Sequence, residues 1–342
     1  MPFFMSRLRA HERFLRMPDN TMCALITCEV TDEFLAALKA RGIDYELMGW
    51  GQNGITLTEK EIISKARDCE IVIVEIEELN KNVIESLPNL KFVGVSRGTP
   101  VNVDLELCKE RNISVIHTPG RNADSVADYC LGMMLDLSRK LTASSRHLAS
   151  EGWMFGGKLP YLEFRGRELG NLTVGLYGMG QIGLRVAQRL HSGFGTEVYF
   201  FDPFVQSSVH AKKVNTLEEL FETSDIVSLH APVISETENS VNRELLRKLG
   251  PEGILISSAR AKLIVEEDLY QSLINCEIAS AAIDVFWSEP IDVNNRWVNL
   301  PNVICTPHIA GASLDVVANH CKTILNGLDK WLSSNNKMRG LA

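Results

Sequence analysis

The stretch Leu172-Thr173-Val174-Gly175-Leu176-Tyr177-Gly178-Met179-Gly180-Gln181-Ile182-Gly183 decides the reading of this chain. Its first six residues form an apolar run suited to a buried strand, and Leu184 to Leu190 carries the spacing of an amphipathic helix. Between them lies the pattern G-x-G-x-x-G. A second strand-like run, Glu197-Val198-Tyr199-Phe200-Phe201, ends in Asp202, nineteen residues past Gly183. Strand, glycine turn, helix, strand and acid, in that order, are what a dinucleotide site needs. Gly178 permits the tight turn, Gly180 lets the backbone approach a pyrophosphate, and Gly183 allows close packing of helix on strand. The helix start at Gln181 and Ile182 offers free N–H groups and a partial positive charge to phosphates. Asp202 can accept both ribose hydroxyls and would repel a 2′-phosphate, so NAD is expected rather than NADP. Pro203 and Phe204, which follow it, supply no arginine for such a phosphate.

Outward from this motif, the bulk numbers set limits. At 342 residues the chain is long enough for two domains, and 45% hydrophobic with 23% charged residues is ordinary for a globular protein. A net charge of -8 with no basic stripe argues against nucleic acid as partner. No apolar run approaches the roughly 20 residues that span a bilayer, so no membrane association is expected. The eight cysteines are scattered, without C-x-x-C pairs or neighbouring histidines. That spacing suggests free thiols in a reducing cytoplasm, neither a disulfide framework nor a metal site. Met1–Met17 holds Arg7, Arg9, Arg13 and Arg16 against a single acid, Glu12. It reads as a frayed extension or an early-assigned start, with a transit peptide as the other reading.

Upstream of the motif, short strand-like runs alternate with helical stretches. Ala24–Thr27, Ile71–Ile76, Phe92–Ser96 and Ile113–Ile116 are strand candidates. Thr31–Ala40, with Thr31 and Asp32 as caps, Glu59–Ala66 and Val103–Arg111 are helical. A longer helix is predicted over Ala123–Leu141, followed by an irregular stretch from Ser150 to Gly170. Downstream, the strands Ile226–His230, Gly253–Ser257, Ala281–Asp284 and Val303–Thr306 alternate with helices at Leu217–Glu222, Arg243–Leu249 and Glu266–Leu273. This alternation predicts α/β architecture with parallel sheets. Asp315 to Trp331 reads as one amphipathic helix, with Val317, Cys321, Ile324, Leu328 and Trp331 on a single face.

Redox chemistry beside a nicotinamide needs an acid/base and a cation for an anionic substrate. Three segments at or just after predicted strand ends supply them: Ile256-Ser257-Ser258-Ala259-Arg260, Asp284-Val285-Phe286-Trp287-Ser288-Glu289-Pro290, and Thr306-Pro307-His308-Ile309-Ala310-Gly311. Taken in order from Phe92 to Leu328, the motifs resemble those of the D-isomer-specific 2-hydroxyacid dehydrogenases, phosphoglycerate dehydrogenase among them. The resemblance implies two doubly wound parallel-sheet domains, with a Rossmann NAD-binding domain inserted in a flavodoxin-like substrate domain. On this chain the substrate domain would take residues 1–120 and, through a returning C-terminal helix, 310–342; the NAD-binding domain would take 121–309. The active site of that family lies between the two domains.

The family roles carry over residue by residue. Arg260 would clamp the substrate carboxylate, His308 would act as general acid and base, and Glu289 beside it would favour the imidazolium. Further cofactor contacts implied are Val126, the His230-Ala231-Pro232 turn, Ala259, and Asp284 toward the nicotinamide amide; His230 is read as cofactor wall, not catalyst. Arg97, Gly98 and Thr99 fall on the loop that binds substrate through backbone N–H groups. The chain departs from the family at Ser257 (asparagine in the motif), Ala261 (glycine), Asp128 (glutamate), Pro100 and Asn102. Those departures put the substrate in doubt, not the chemistry. Glu289 disfavours formate dehydrogenase, where glutamine is expected. The expected activity interconverts a D-2-hydroxy acid and its 2-keto acid with NAD, in a homodimer with the helix Ala123–Leu141 as a candidate interface. A binding-protein alternative is an NAD(H) sensor of the corepressor type on the same scaffold.

Overall fold

The computed structural model describes residues 21–338, so the arginine-rich Met1–Met17 lies outside the described residues. The chain forms two units, residues 21–121 with 317–338, and 122–316.

The first unit is built on a five-stranded parallel sheet. Its strands are β1 (Met22–Ile26), β2 (Ile43–Leu47), β3 (Ile71–Val74), β4 (Phe92–Val95) and β5 (Ser114–His117), in the order β2-β1-β3-β4-β5. β3 and β4 are buried along their whole length, as strands covered by helices on both faces must be. Local chemistry starts the helices. Thr31 caps Asp32–Ala40 through Phe34 N–H at 3.2 Å, and Thr58 with Glu61 forms a reciprocal capping box on Glu59–Ala66. The helix Leu314–Met338 carries Cys321, Ile324 and Leu328 into the core beside Ile26, Phe34, Ile73 and Phe92.

β2 was not foreseen. Its sequence, Ile-Asp-Tyr-Glu-Leu, has no apolar run because it lies at the sheet edge, where only Ile43 is buried.

The second unit holds a seven-stranded, all-parallel sheet of β6 (Thr173–Tyr177), β7 (Glu197–Phe201), β8 (Lys212–Lys213), β9 (Ile226–Leu229), β10 (Ile254–Ser257), β11 (Ser280–Ile283) and β12 (Val303–Cys305). The order is β12-β11-β10-β9-β6-β7-β8, so the chain reverses direction of winding between β6 and β9. Open α/β sheets bind ligands outside the carboxyl ends of their strands at such a point. The register makes this concrete: Tyr177 pairs with Phe201 and Leu229, Ser257 with Leu229 and Ile283, and Ile283 with Cys305. The residues that follow the strands, Gly178, Asp202, His230, Ser258, Asp284 and Thr306, therefore stand along one edge. Two apolar clusters, one around Leu229, Leu255 and Ile283 and one around Val174, Phe200 and Ile256, fix that edge from both faces.

One predicted element divides. In place of a helix over Ala123–Leu141, the structure has Ala123–Arg139 and Leu141–Glu151, with Lys140 between them at φ 55° and ψ 38°. Asp136 explains the restart: its carboxylate accepts from Thr142 N–H at 2.7 Å and from Thr142 Oγ1 at 2.5 Å. The irregular stretch consequently begins at Gly152, not Ser150. No helix among the described residues is long and apolar enough to cross a membrane.

Candidate active site on the second unit

At the β6 turn, steric arguments separate the three glycines. Gly178 has φ 100°, and a Cβ there would lie 2.7 Å from Ala231 N. A Cβ on Gly183 would lie 2.2 Å from the carbonyl oxygen of Gly178, which rules out any side chain at this helix–strand contact. Gly180 differs. A Cβ there would meet nothing within 4 Å, so no packing contact within the described residues requires its smallness. Gly180 also caps the helix Gln181–Arg189, and the N–H groups of Gln181, Ile182 and Gly183 have no partner among the described residues. A cradle of free donors with open space above it fits the pyrophosphate of a dinucleotide.

Asp202 borders this cradle. It accepts from Met179 N–H at 2.8 Å, Phe204 N–H at 2.8 Å and Val205 N–H at 3.0 Å. Burial pushes its carboxyl up, but the backbone donors and the nearby Lys213 outweigh burial and hold it below the usual carboxylate range. The result is a fixed negative charge at the end of β7. Lys213, on β8, was not named from the sequence; a two-residue strand leaves no pattern to find.

His230 lies at the end of β9, with its N–H on Tyr177 O at 2.7 Å. The residue is half-buried, yet both ring nitrogens are fully buried and have no hydrogen-bond partner among the described residues. Burial lowers its pKa to about 4, so it is neutral near pH 7. Ala231 is buried, Pro232 exposed and Ala259 half-buried. Val126 is 4% exposed and packs in the core beside Val186.

The loops after β10, β11 and β12 bring the three chemical residues together. His308 Nδ1 lies 2.8 Å from Glu289 Oε2. Glu289 Oε1 accepts from Phe286 N–H at 2.8 Å, which orients the carboxylate. Burial pushes the Glu289 carboxyl up, and the His308 hydrogen bond, the Phe286 amide and the positive charges of His308 and Arg260 bring it below its ordinary value. Arg260 is exposed; its one side-chain hydrogen bond among the described residues runs from Nη1 to Ala259 O at 2.6 Å. Most of its donor fork stays available for a carboxylate. Trp287 steadies the segment that carries Glu289, stacking on Trp297 and donating from Nε1 to Ile264 O at 3.0 Å.

Asp284 is fully buried and faces the loop after β12. Its Oδ1 accepts from Thr306 Oγ1 at 2.6 Å and Ile309 N–H at 2.8 Å, and its Oδ2 from Ala310 N–H at 2.8 Å. Thr306 stood in a quoted motif without a role. Tyr129, which meets it at 2.7 Å across 177 positions, had no local signal at all.

A family model described as the NAD-binding domain of D-isomer-specific 2-hydroxyacid dehydrogenases matches residues 131–310. The chain belongs to this family. It is 33% identical over 314 residues to the YoaD protein of Bacillus subtilis, covering 91% of each chain. It is 32% identical to a glyoxylate reductase of Thermofilum pendens, over 75% of this chain and 77% of that one. The solved NADPH-dependent glyoxylate/hydroxypyruvate reductase of Sinorhizobium meliloti superposes with a TM-score of 0.74 at 27% identity, covering 91% of this chain and 95% of that one. The protein is therefore an oxidoreductase with an NAD-binding domain of the Rossmann type, in a family whose members use NAD or NADP.

The unit formed by residues 21–121 and 317–338 carries the other expected contacts. The N–H groups of Gly98 and Thr99 have no partner among the described residues, and both residues are exposed. Gly98 O accepts from His117 Nδ1 at 2.8 Å and Arg97 O accepts from Thr118 N–H at 2.9 Å, which fixes the loop.

Proposed function

We propose that the protein interconverts a D-2-hydroxy acid and its 2-keto acid with NAD, His308 carrying the proton. The observation that carries this reading is the 2.8 Å His308–Glu289 contact with the charge of Arg260 acting on it, at the carboxyl edge of an NAD-binding sheet. Gly178, Gly180, Gln181, Ile182 and Gly183 would hold the pyrophosphate and Asp202 the adenosine ribose. The His230-Ala231-Pro232 turn, Ala259, Val126 and Asp284 would complete the cofactor contacts. When bound, the nicotinamide supplies or accepts hydride.

The chain's own residues do the rest. With Nδ1 engaged by Glu289, His308 keeps Nε2 for the substrate oxygen, taking a proton in alcohol oxidation and giving one in ketone reduction. The carboxylate of Glu289 stabilises the imidazolium that forms. Arg260 would bind the substrate carboxylate through its open donors; Arg97 and the free N–H groups of Gly98 and Thr99 are proposed as further anion contacts. The domain roles follow: residues 121–309 bind NAD, while 1–120 and 310–342 serve the substrate. The fixed charge at Asp202 supports NAD over NADP.

The free thiols support a reducing cytoplasmic setting. A homodimer is part of the same proposal. The exposed Trp153, Leu159, Tyr161 and Leu162, just past the candidate interface helix, offer an apolar surface that a second copy would cover.

The test is NADH absorbance with glyoxylate, pyruvate, hydroxypyruvate and its phosphate, and branched and aromatic 2-keto acids. Oxidation of NADH by one class, with NADPH at least about tenfold slower, is expected from a charge penalty of about 1.4 kcal/mol or more. Silence across the panel with NADH still bound would favour the sensor reading.

A further inference from the structure

The loop that carries His308 is held in an unfavourable shape. His308 has φ 55°, the left-handed region that few residues other than glycine occupy. Such a conformation persists only where its surroundings over-determine it. Here they do so from both sides. On the N-terminal side, Thr306 N–H donates to Ile283 O at 3.0 Å, Thr306 O accepts His308 N–H at 3.0 Å, and Thr306 Oγ1 donates to Asp284 Oδ1 at 2.6 Å. On the C-terminal side, Ile309 and Ala310 N–H donate to the same carboxylate. Asp284 thus grips residues on both flanks of His308.

Hydroxyl stoichiometry then fixes the direction of the chain. Thr306 has one O–H, and it donates that proton to Asp284 Oδ1. Tyr129 O–H must therefore be the donor in its 2.7 Å contact with Thr306 Oγ1. Burial pushes the Tyr129 phenol up, which keeps its proton on at any working pH. Tyr129 sits on the helix Ala123–Arg139, whose buried residues Val126, Ala127, Cys130 and Met134 anchor it to the unit's core.

We propose that Tyr129, Thr306 and Asp284 form a directed hydrogen-bond relay that holds the His308 loop, making Tyr129 and Thr306 positioning residues for proton transfer. The inference rests on the reading of His308 as acid/base and adds residues outside its immediate contacts. It gives Asp284 a role that does not depend on a bound nicotinamide.

The experiment compares Tyr129→Phe, Thr306→Val, Thr306→Ser, the Phe/Val double variant and His308→Ala. Each is measured for NADH oxidation with glyoxylate and hydroxypyruvate, for NADH affinity, and for amide hydrogen exchange without substrate. Thr306→Val should lower kcat about tenfold or more and Tyr129→Phe about threefold, with NADH affinity unchanged within about twofold. Thr306→Ser should recover most of kcat. The double variant should be no worse than Thr306→Val, because Tyr129 acts through Thr306. Amides of Ile309 and Ala310 should exchange faster in Thr306→Val while those of Gly178–Gly183 do not. Unchanged exchange at Ile309 and Ala310 in both single variants would overturn the relay, whatever the activity. Additive losses with weakened NADH binding would also overturn it, showing plain structural damage. Turnover in His308→Ala equal to wild type would instead overturn the parent reading.

Discussion

The turn after β6 and the loop after β12 lie on the same edge of one sheet and solve opposite problems. At Gly178–Gly183 the N–H groups of Gln181, Ile182 and Gly183 have no partner among the described residues, and on the proposed reading the backbone itself binds the cofactor. At Thr306–Ala310 the N–H groups of Ile309 and Ala310 are spent on Asp284, and on the proposed reading the His308 side chain does the chemistry. Two aspartates at strand ends make the same contrast. Asp202 and Asp284 each accept three hydrogen bonds, but Asp202 is half-buried and Asp284 has no exposed surface. Burial thus separates two carboxylates that the sequence places alike at strand ends.

The contrast is broken most sharply inside the first region. Gly183→Ala forces a carbon to 2.2 Å from a backbone oxygen. An overpacking cost of about 1–3 kcal/mol should lower Tm by roughly 3–10 °C and weaken NADH binding at least tenfold. Gly180→Ala meets open space, so Tm should stay within about 1 °C while NADH affinity still falls. Full affinity in Gly180→Ala would mean that no phosphate approaches this backbone.

In the second region the expected effect is smaller and depends on pH. The Glu289 carboxyl lies below its ordinary value in the folded protein. Its contribution to stability is therefore complete above the ordinary glutamate pKa of about 4.3 and is lost as pH falls through the lower folded value. With about a third of the side chain exposed, solvent screening keeps this small. Wild type should exceed Glu289→Gln by no more than about 2 °C in Tm at pH 5.5, and the gap should close on titration to pH 3. A gap that widens toward low pH would reverse the sign and sink the assignment.

Much of the architecture was legible because β3, β4, β6 and β9 to β11 are buried on both faces and read as apolar runs bounded by turns. β2 and β8 were not, since an edge strand with one buried residue and a two-residue strand carry little pattern. The break at Lys140 was hidden too. It depends on an aspartate six residues before Thr142, a contact no periodicity reports. Arg260, Glu289 and His308 were named because motif order resembles that of the family, and the structure sets them on the loops along one edge of the second sheet. Tyr129 escaped because its partner lies 177 positions away. The threefold occupancy of Asp284 escaped because backbone donors leave no mark in a sequence.

The most direct test of the central claim is turnover of His308→Ala beside its NADH binding, with the fastest 2-keto acid of the panel. Loss of a general acid/base should cut kcat about 10²- to 10⁴-fold, with NADH affinity within about twofold of wild type. Turnover within about threefold of wild type would contradict the account, because proton transfer would then not pass through His308.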